Sequence, residues 1–529
     1  MPLSQLGTTD VLYLLGGAWA VSYAVSRLLR RGRSTTTTLL GPPSQSWLLG
    51  NRALAGVDNE VPIFEKWVNQ YGRVFQIEGP LGSSRTVLCD PKAIAHFYSK
   101  ETFTYVQTAF AKIFIGTFFG RGLLMAEGES HRRQRKALTP AFSNVAVRKL
   151  TNVFFDSAYK CKGIWDGMLE SHPEGVMINV QHWMNSIALD SIGIAGFSHN
   201  FGQLDGKDSD VANAFNSLGG DDRNIFTAFI FLLSPYFPFL ATLPTKRNRV
   251  MKKLRKSLSN ISDELLERTR KESQGGVEEK SIIGLLIKAE NAKTDLTLTQ
   301  EEVLAQMNVL LLAGYETTSI SLTWALIELC RFPEQQRKLR DELLSQFPSS
   351  DPTWDQLMTT IPYLDAVVHE TLRMHPPVVM TTRKAAEDDV VPLSAPIVTR
   401  GGQTVSSISV AKGTTVSAPI HLMNQAEWLW GSNAREFYPE RWLEPNFGSK
   451  NDVQGHRHLL SFVDGPRTCL GKNFALAEFK AVLSVLIRNF TFEFEGPEPK
   501  IEKHISILPR PKIAGQDGAK VPLRVRRVE

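Results

Sequence analysis

Cysteine is scarce in this 529-residue chain, and the four present stand far apart. Cys89, Cys161, Cys330 and Cys469 form no CxxC pair and no Cys/His cluster of zinc spacing, which argues against structural zinc. A disulfide framework is equally disfavoured, so a reducing, cytosol-facing location is expected. No internal repeat is visible. No nucleic-acid-binding motif accompanies the basic residues, so nucleic acid is not an expected partner. Two long stretches lack charge altogether, and both raise the question of a membrane.

What is present is globular in kind. With 42% hydrophobic and 22% charged residues, a chain of this length can bury a large core and still enclose a ligand cavity. The formal charge is +6, and basic residues gather at Arg27–Arg33, Lys246–Lys256 and Arg524–Arg527.

The first charge-free run, "VLYLLGGAWAVSYAVS" (Val11–Ser26), approaches the length of a bilayer span once Leu28 and Leu29 are added. Arginines follow it, which by the positive-inside rule leaves the remainder in the cytosol. A cleaved signal peptide would carry its basic residues first, so an uncleaved anchor over 1–33 is expected. Residues 34–46, with Pro42 and Pro43, read as a stiff linker, and 47–529 as the catalytic body. The second run, Asn224–Thr245, is broken by Pro235, Pro238 and Pro244. It suits an interfacial segment slightly better than buried core.

The body reads as mainly α with a small β-rich part, in one large domain. "GRVFQIEGPLGSSRTVLCD" (Gly72–Asp90) predicts a hairpin. Helical patterning dominates from Pro91 to Phe332, strand signals return between Val390 and Ser417, and helix returns after Gly471.

Four constellations carry chemistry. In "FVDGPRTCLG" (Phe462–Gly471), Gly465 and Pro466 force a turn, and Gly471 permits close approach. An amphipathic helix follows, so Cys469 sits at a helix N-terminus, where peptide dipoles favour a thiolate. That thiolate can serve as nucleophile or metal ligand, and Arg467 can meet a haem propionate if the metal is haem iron.

A second motif, "AGYETT", lies within a long apolar helix that opens on the capping box Thr299/Glu302 and stops before Pro333. Ala313 and Gly314 bring the backbone close to a flat ligand. Glu316 is a lone carboxylate in apolar surroundings, costly unless hydrated or hydrogen-bonded. Thr317 supplies a hydroxyl beside it, with back-bonding to a helix carbonyl as the plainer alternative.

The third is Glu370 and Arg373, on one helix face, with Arg441 of "FYPERW" as a third member. An exposed pair of this kind contributes little; a buried triad holds the cysteine loop in place. The fourth is His131 and Arg135 at i, i+4, with Arg132, Arg133 and Lys136 beside them. It is either a solvated basic face or a site for an anion or an acidic partner.

Together these motifs resemble the cytochrome P-450 superfamily of haem-thiolate monooxygenases. The family's Phe-x-x-Gly-x-Arg-x-Cys-x-Gly loop is matched by Phe462, Gly465, Arg467, Cys469 and Gly471. Its distal-helix pattern is matched by Ala313, Gly314, Glu316, Thr317 and Thr318, its Glu-x-x-Arg by Glu370 and Arg373, and its Pro-Glu-Arg by Pro439–Arg441. The similarity runs from about Leu40 to the end. One departure is His131, where the family often has tryptophan.

The resemblance implies haem b, with Cys469 as the axial thiolate and His131, Arg135, Arg383 and Arg467 as propionate contacts. It also implies a proton relay through Glu316 and Thr317. Electrons are implied to come from a separate NADPH-dependent reductase on the same membrane, the endoplasmic reticulum, with Arg132, Arg133 and Lys472 as docking candidates. Pocket walls are implied at Thr108–Leu124, Val378–Thr382 and Ile505–Leu508, all suited to a lipophilic substrate. The "SHRRQRKALTPAF" stretch is most similar to fungal members of secondary metabolism, many acting on terpenoids. Fatty-acid hydroxylation stands behind that reading. An oxygen-independent isomerase or dehydratase has no need of Glu316 and Thr317.

Overall fold

The computed structural model describes residues 36–207, 245–274, 298–445 and 453–528 almost throughout, apart from 48, 52 and 54–58, with isolated positions between these stretches. The anchor expected over 1–33 and nearly all of 224–245 lie outside the described residues.

The expected hairpin is present. β1 (Val74–Glu78) pairs antiparallel with β2 (Ser84–Leu88), Val74 opposite Leu88, across a short 3₁₀ turn at Pro80–Gly82. This hairpin forms one end of a five-stranded sheet. Its order is β1-β2-β8-β5-β3, adding β3 (Tyr105–Val106), β5 (Thr381–Ala385) and β8 (Thr415–Ala418). A second hairpin joins β6 (Asp389–Val398) to β7 (Thr404–Val410). β4 (Val176–Asn179), β9 (Phe490–Glu493) and β12 (Pro522–Arg527) form a separate sheet of order β4-β12-β9, and near the C-terminus β10 (Ile501–Ile505) and β11 (Pro509–Ile513) form a third hairpin.

The segment expected as a linker is, from Thr36 onward, part of this β-rich body. Thr37 N–H donates to Ser409 O on β7, and Gln76 N–H on β1 donates to Leu40 O. Leu39 is buried, and a side chain at Gly41 would strike Gln76 O.

The helical body is organised around one long helix, Gln300–Arg331, called here the central helix. Its capping box is complete. Thr299 Oγ1 accepts from Glu302 N–H, and the Glu302 carboxylate accepts from Thr299 N–H. The central helix packs along the Val180–Phe197 helix. The helix after Cys469 (Lys472–Asn489), called here the cysteine helix, packs on Asn144–Leu169. By length and composition the central helix could cross a membrane, but 72% of its most apolar window is buried, which makes it a core helix. Two apolar clusters result, a large one among the helices and a smaller one within the β-rich part.

Candidate active site

The cysteine loop is set by backbone constraints. Gly465 has φ +67°, and a Cβ there would lie 2.3 Å from Tyr98 O, so only glycine fits. Cys469 N–H donates to Phe462 O at 2.8 Å, closing the loop, and Thr468 Oγ1 donates to Gly465 O at 2.7 Å. Gly471 differs: a side chain there would meet Phe142 only at ordinary contact distance. No neighbour within the described chain therefore demands glycine at that position.

Cys469 stands apart from the other cysteines. Cys89, Cys161 and Cys330 are buried in packing, whereas Cys469 keeps accessible surface. Protein nevertheless surrounds it closely enough that burial pushes its thiol pKa up, against the pull of the Gly471 N–H, Arg135 and Lys472. A thiol that keeps accessible surface yet is desolvated by its surroundings faces a recess in the protein rather than its outer surface. The helix N-terminus acts in the expected direction, but burial outweighs it. Bound to a metal cation, a thiol in such a place is deprotonated outright.

The central helix has one open stripe in its buried middle. Val309, Leu310, Ala313, Gly314 and Thr317 retain accessible surface, at i, i+1, i+4, i+5 and i+8, while Leu311, Leu312, Tyr315, Glu316 and Thr318 are buried. Thr317 Oγ1 donates to Ala313 O at 2.7 Å, so it is the plainer back-bonded arrangement that occurs. The oxygen's lone pairs remain free to accept from the open side. Gly314 also answers a need within the protein. Its Cβ would lie 2.7 Å from Ile192 Cγ1 on the neighbouring helix, so helix–helix contact favours glycine there.

Glu316 does not share the open stripe. It is fully buried, and its Oε1 lies 3.1 Å from Arg510 Nε on β11. Burial raises its pKa, and Arg510, Leu508 N–H and Ser506 offset part of that rise. Of hydration and hydrogen bonding, the two ways the sequence offered to keep this carboxylate, the second occurs, as a hydrogen-bonded ion pair with Arg510.

Three arginines and a histidine foreseen from the sequence converge beside Cys469. Arg135 is near enough to feel the thiolate, and His131 feels both Arg467 and Arg135. Burial and those two arginines push His131 down to about 4, so its imidazole is neutral at physiological pH. Arg467 is pushed down to about 10 by burial and by Arg383, with Glu101 and Glu127 opposing. Arg467 donates to Ala126 O, while its buried Nε has no hydrogen-bond partner among the described residues. Arg383 is not free for a propionate alone: its Nε lies 2.9 Å from Glu101 Oε1, and its Nη1 donates to Gln107 and to Thr382 O. Lys112 pairs with Glu127 at 2.5 Å.

Within this group Arg135, Arg383 and Arg467 are set against Glu101, with Lys112 and Glu127 paired beside them, an excess of two positive charges among the residues named. Unbalanced buried charge is costly. A ligand carrying two carboxylates would balance it, and haem b carries two. The donor set, the orphaned Arg467 Nε and the open thiol together fit that group.

Behind this site lies the triad. Glu370 and Arg373 are fully buried, with Arg373 Nε 2.8 Å from Glu370 Oε2 and Arg441 Nε 3.0 Å from Oε1. Tyr438 N–H and Trp442 Nε1–H also donate to Glu370. The exposed-pair reading is set aside. Arg373 donates to Asn424 O, Asn424 Nδ2 donates to Ser461 Oγ, and Ser461 Oγ donates to Leu372 O. The triad therefore anchors the chain one residue before Phe462, where the cysteine loop begins.

Three residues escaped the sequence reading. Glu101 and Arg510 carry no local signal. Glu478 does: it is a lone acid within an apolar helix, the same pattern that drew attention to Glu316. Burial pushes it up to about 8, so it is mostly protonated at neutral pH, with Ser191 and Thr318 beside it. Of the basic face, Arg133 is committed to Glu302, whereas Arg132 is exposed.

With fold and site in view, comparison with known proteins gives the class. A sequence model of the cytochrome P450 family matches residues 40–514, and the chain belongs to that family. Cytochrome P450 monooxygenases claP and claQ of Ampulloclitocybe clavipes are 64% and 63% identical to it, over the whole of both chains in each case. Cytochrome P450 monooxygenase 205 of Postia placenta is 35% identical over 98% of each chain. The protein is accordingly an oxidoreductase of the monooxygenase type, and family membership implies haem held through a cysteine thiolate.

Proposed function

We propose that the enzyme oxidises a lipophilic small molecule in fungal secondary metabolism, a terpenoid foremost, while anchored to the endoplasmic reticulum membrane by residues 1–33. The observation that carries the site assignment is the interior, accessible thiol of Cys469 among Arg135, Arg467 and His131. Cys469 would hold the haem iron, and Arg135 and Arg467 its carboxylates, with neutral His131 as a hydrogen-bond donor. When bound, the haem supplies dioxygen activation.

The chain's own residues do the rest. Gly465 and the Phe462–Cys469 hydrogen bond hold the loop, and Ala313 presents only a methyl group on the open stripe. Thr317 holds a hydroxyl proton on Ala313 O and turns its lone pairs toward the open side. Glu316 stands one residue behind, held by Arg510, so Thr317 is the member of the proposed relay at the face. Substrate walls are apolar. Phe110 and Phe114 stack at 6.2 Å, and Phe114 meets Phe118 edge-on at 5.0 Å. Such surfaces favour lipophilic ligands over charged ones. Arg132 and Lys472 remain docking candidates for an NADPH-dependent reductase, while Arg133 is already paired within the chain.

The test is co-expression with a reductase and feeding of terpenes, then fatty acids. Conversion of a terpene that Cys469→Ser abolishes supports the reading. Turnover of fatty acids alone would replace the terpenoid assignment with fatty-acid hydroxylation.

A further inference from the structure

Glu101 is a carboxylate buried beside the cation cluster, and the chain places it there at some conformational expense. It leaves the Pro91–Ser99 helix in a tight turn, with its N–H donating to Tyr98 O. The next residue, Thr102, has φ +80°, a left-handed conformation that β-branched residues rarely adopt, and it is buried. The turn touches three parts of the site. Tyr98 O is the atom against which Gly465 of the cysteine loop is fitted. Thr102 O accepts from Gly128 N–H, at the start of the helix that carries His131 and Arg135. Tyr105 pairs with Ala385 on the strand that carries Arg383.

The Glu101 side chain is fully buried, with Oε1 2.9 Å from Arg383 Nε and Arg467 the next cation to act on it. Contact with Arg383 is close but not aligned as a hydrogen bond, so both carboxylate oxygens keep their acceptor capacity. A strained turn that brings an incompletely satisfied carboxylate between two arginines points to a role beyond packing.

We infer that Glu101 is a positioning residue that sets the charge around the cofactor: it neutralises Arg383 and so fixes the electrostatic field in which the haem is reduced. This rests on the haem-thiolate reading above. A buried negative charge near a redox centre opposes the arrival of an electron, and a buried positive charge favours it, most strongly at low dielectric. Among the described residues, Arg135, Arg467, Lys112, Lys472, Glu127 and Asp464 also bring charge to this region.

The test uses the full chain loaded with haem, with thiolate ligation first verified from its absorbance spectrum. Redox titration then compares wild type, Glu101→Gln, Glu101→Asp, Arg383→Gln and the Gln/Gln double variant. Glu101→Gln is expected to move the midpoint potential to more positive values and Arg383→Gln to more negative ones. Glu101→Asp stays near wild type, and the double variant returns toward it. Unchanged potentials in both single Gln variants, with haem bound, would overturn the inference and leave the pair as packing. Should Glu101→Gln take up no haem, Arg383→Gln decides alone: a negative shift supports the inference and no shift overturns it. If wild type takes up no thiolate-ligated haem, the functional reading fails instead.

Discussion

Arg510 Nε stands 3.1 Å from Glu316 Oε1, and both side chains lie inside the protein. The guanidinium also sits over the Tyr315 ring, 5.9 Å from its centroid. One ion pair thereby ties the β10–β11 hairpin, which carries an expected pocket wall, to the middle of the central helix. Breaking a buried pair by removing one partner costs about 3–5 kcal/mol, because the other charge is left uncompensated. Arg510→Leu is expected to lower the melting temperature markedly. The double variant Arg510→Leu/Glu316→Gln should recover most of that loss, since no lone charge remains. Equal destabilisation in both would show that the loss comes from packing instead.

Gly314 sets two effects against each other. Alanine is favoured over glycine within a helix by about 1 kcal/mol. Against that, its methyl would meet Ile192 Cγ1 at 2.7 Å and Cδ1 at 2.8 Å, and such overpacking costs about 1–3 kcal/mol. Gly314→Ala is therefore expected to destabilise slightly. Combined with Ile192→Val, which removes Cδ1, it should destabilise less than the two single changes added together. A sum that is simply additive in thermal melts would mean the two side chains do not compete for space.

The Glu370–Arg373–Arg441 triad is expected to govern cofactor uptake without touching the cofactor. Arg373 satisfies three backbone carbonyls, at Asn424, Ala434 and Glu436, as well as Glu370. Arg373→Ala should cost about 3–5 kcal/mol by stranding buried Glu370. It should also free the Asn424–Ser461 link that leads into the cysteine loop. Haem content per purified chain should fall well below wild type. Full haem occupancy in a soluble Arg373→Ala protein would contradict this account.

The same physical picture explains what the sequence could and could not disclose. The cysteine loop was legible because its constraints are local: Gly465 needs a positive φ, and the helix begins just beyond. The central helix was legible from its capping box and its charge-free run. The buried ion pairs were not. Glu316 meets Arg510 from 194 residues away, and no period or turn signal encodes that meeting. Glu101 and Arg383 are joined only because β3 pairs with β5. Gly314 was noticed for the right reason, close approach, but its neighbour is Ile192. The contacts of residues 36–41 with β1 and β7 were not legible either, because proline stiffness says nothing of what a stiff segment lies against.

Glu478 gives a pH prediction of definite sign. Its carboxyl stands at about 8 in the folded protein against an ordinary 4.5, with burial as the main cause. Below pH 4.5 both states hold the proton, and the group is neutral in its effect. Between about 4.5 and 8 the unfolded chain ionises while the folded one does not, so stability falls as pH rises. Glu478→Gln keeps the shape without the charge. It should stabilise the protein at pH 7 by on the order of a few kcal/mol, and this advantage should vanish toward pH 4.5. Melting curves of both proteins across that range would show it. A pH-independent difference would mean the carboxyl titrates normally.

The measurement that tests the central claim most directly is turnover under isotopically labelled dioxygen. The enzyme would be co-expressed with an NADPH-dependent reductase and fed a lipophilic substrate, and product mass compared with an unlabelled control. The account predicts one labelled oxygen atom in the product, and product formation that depends on NADPH. An unlabelled product, still formed without NADPH, would contradict it and point to rearrangement or dehydration at the same cysteine site.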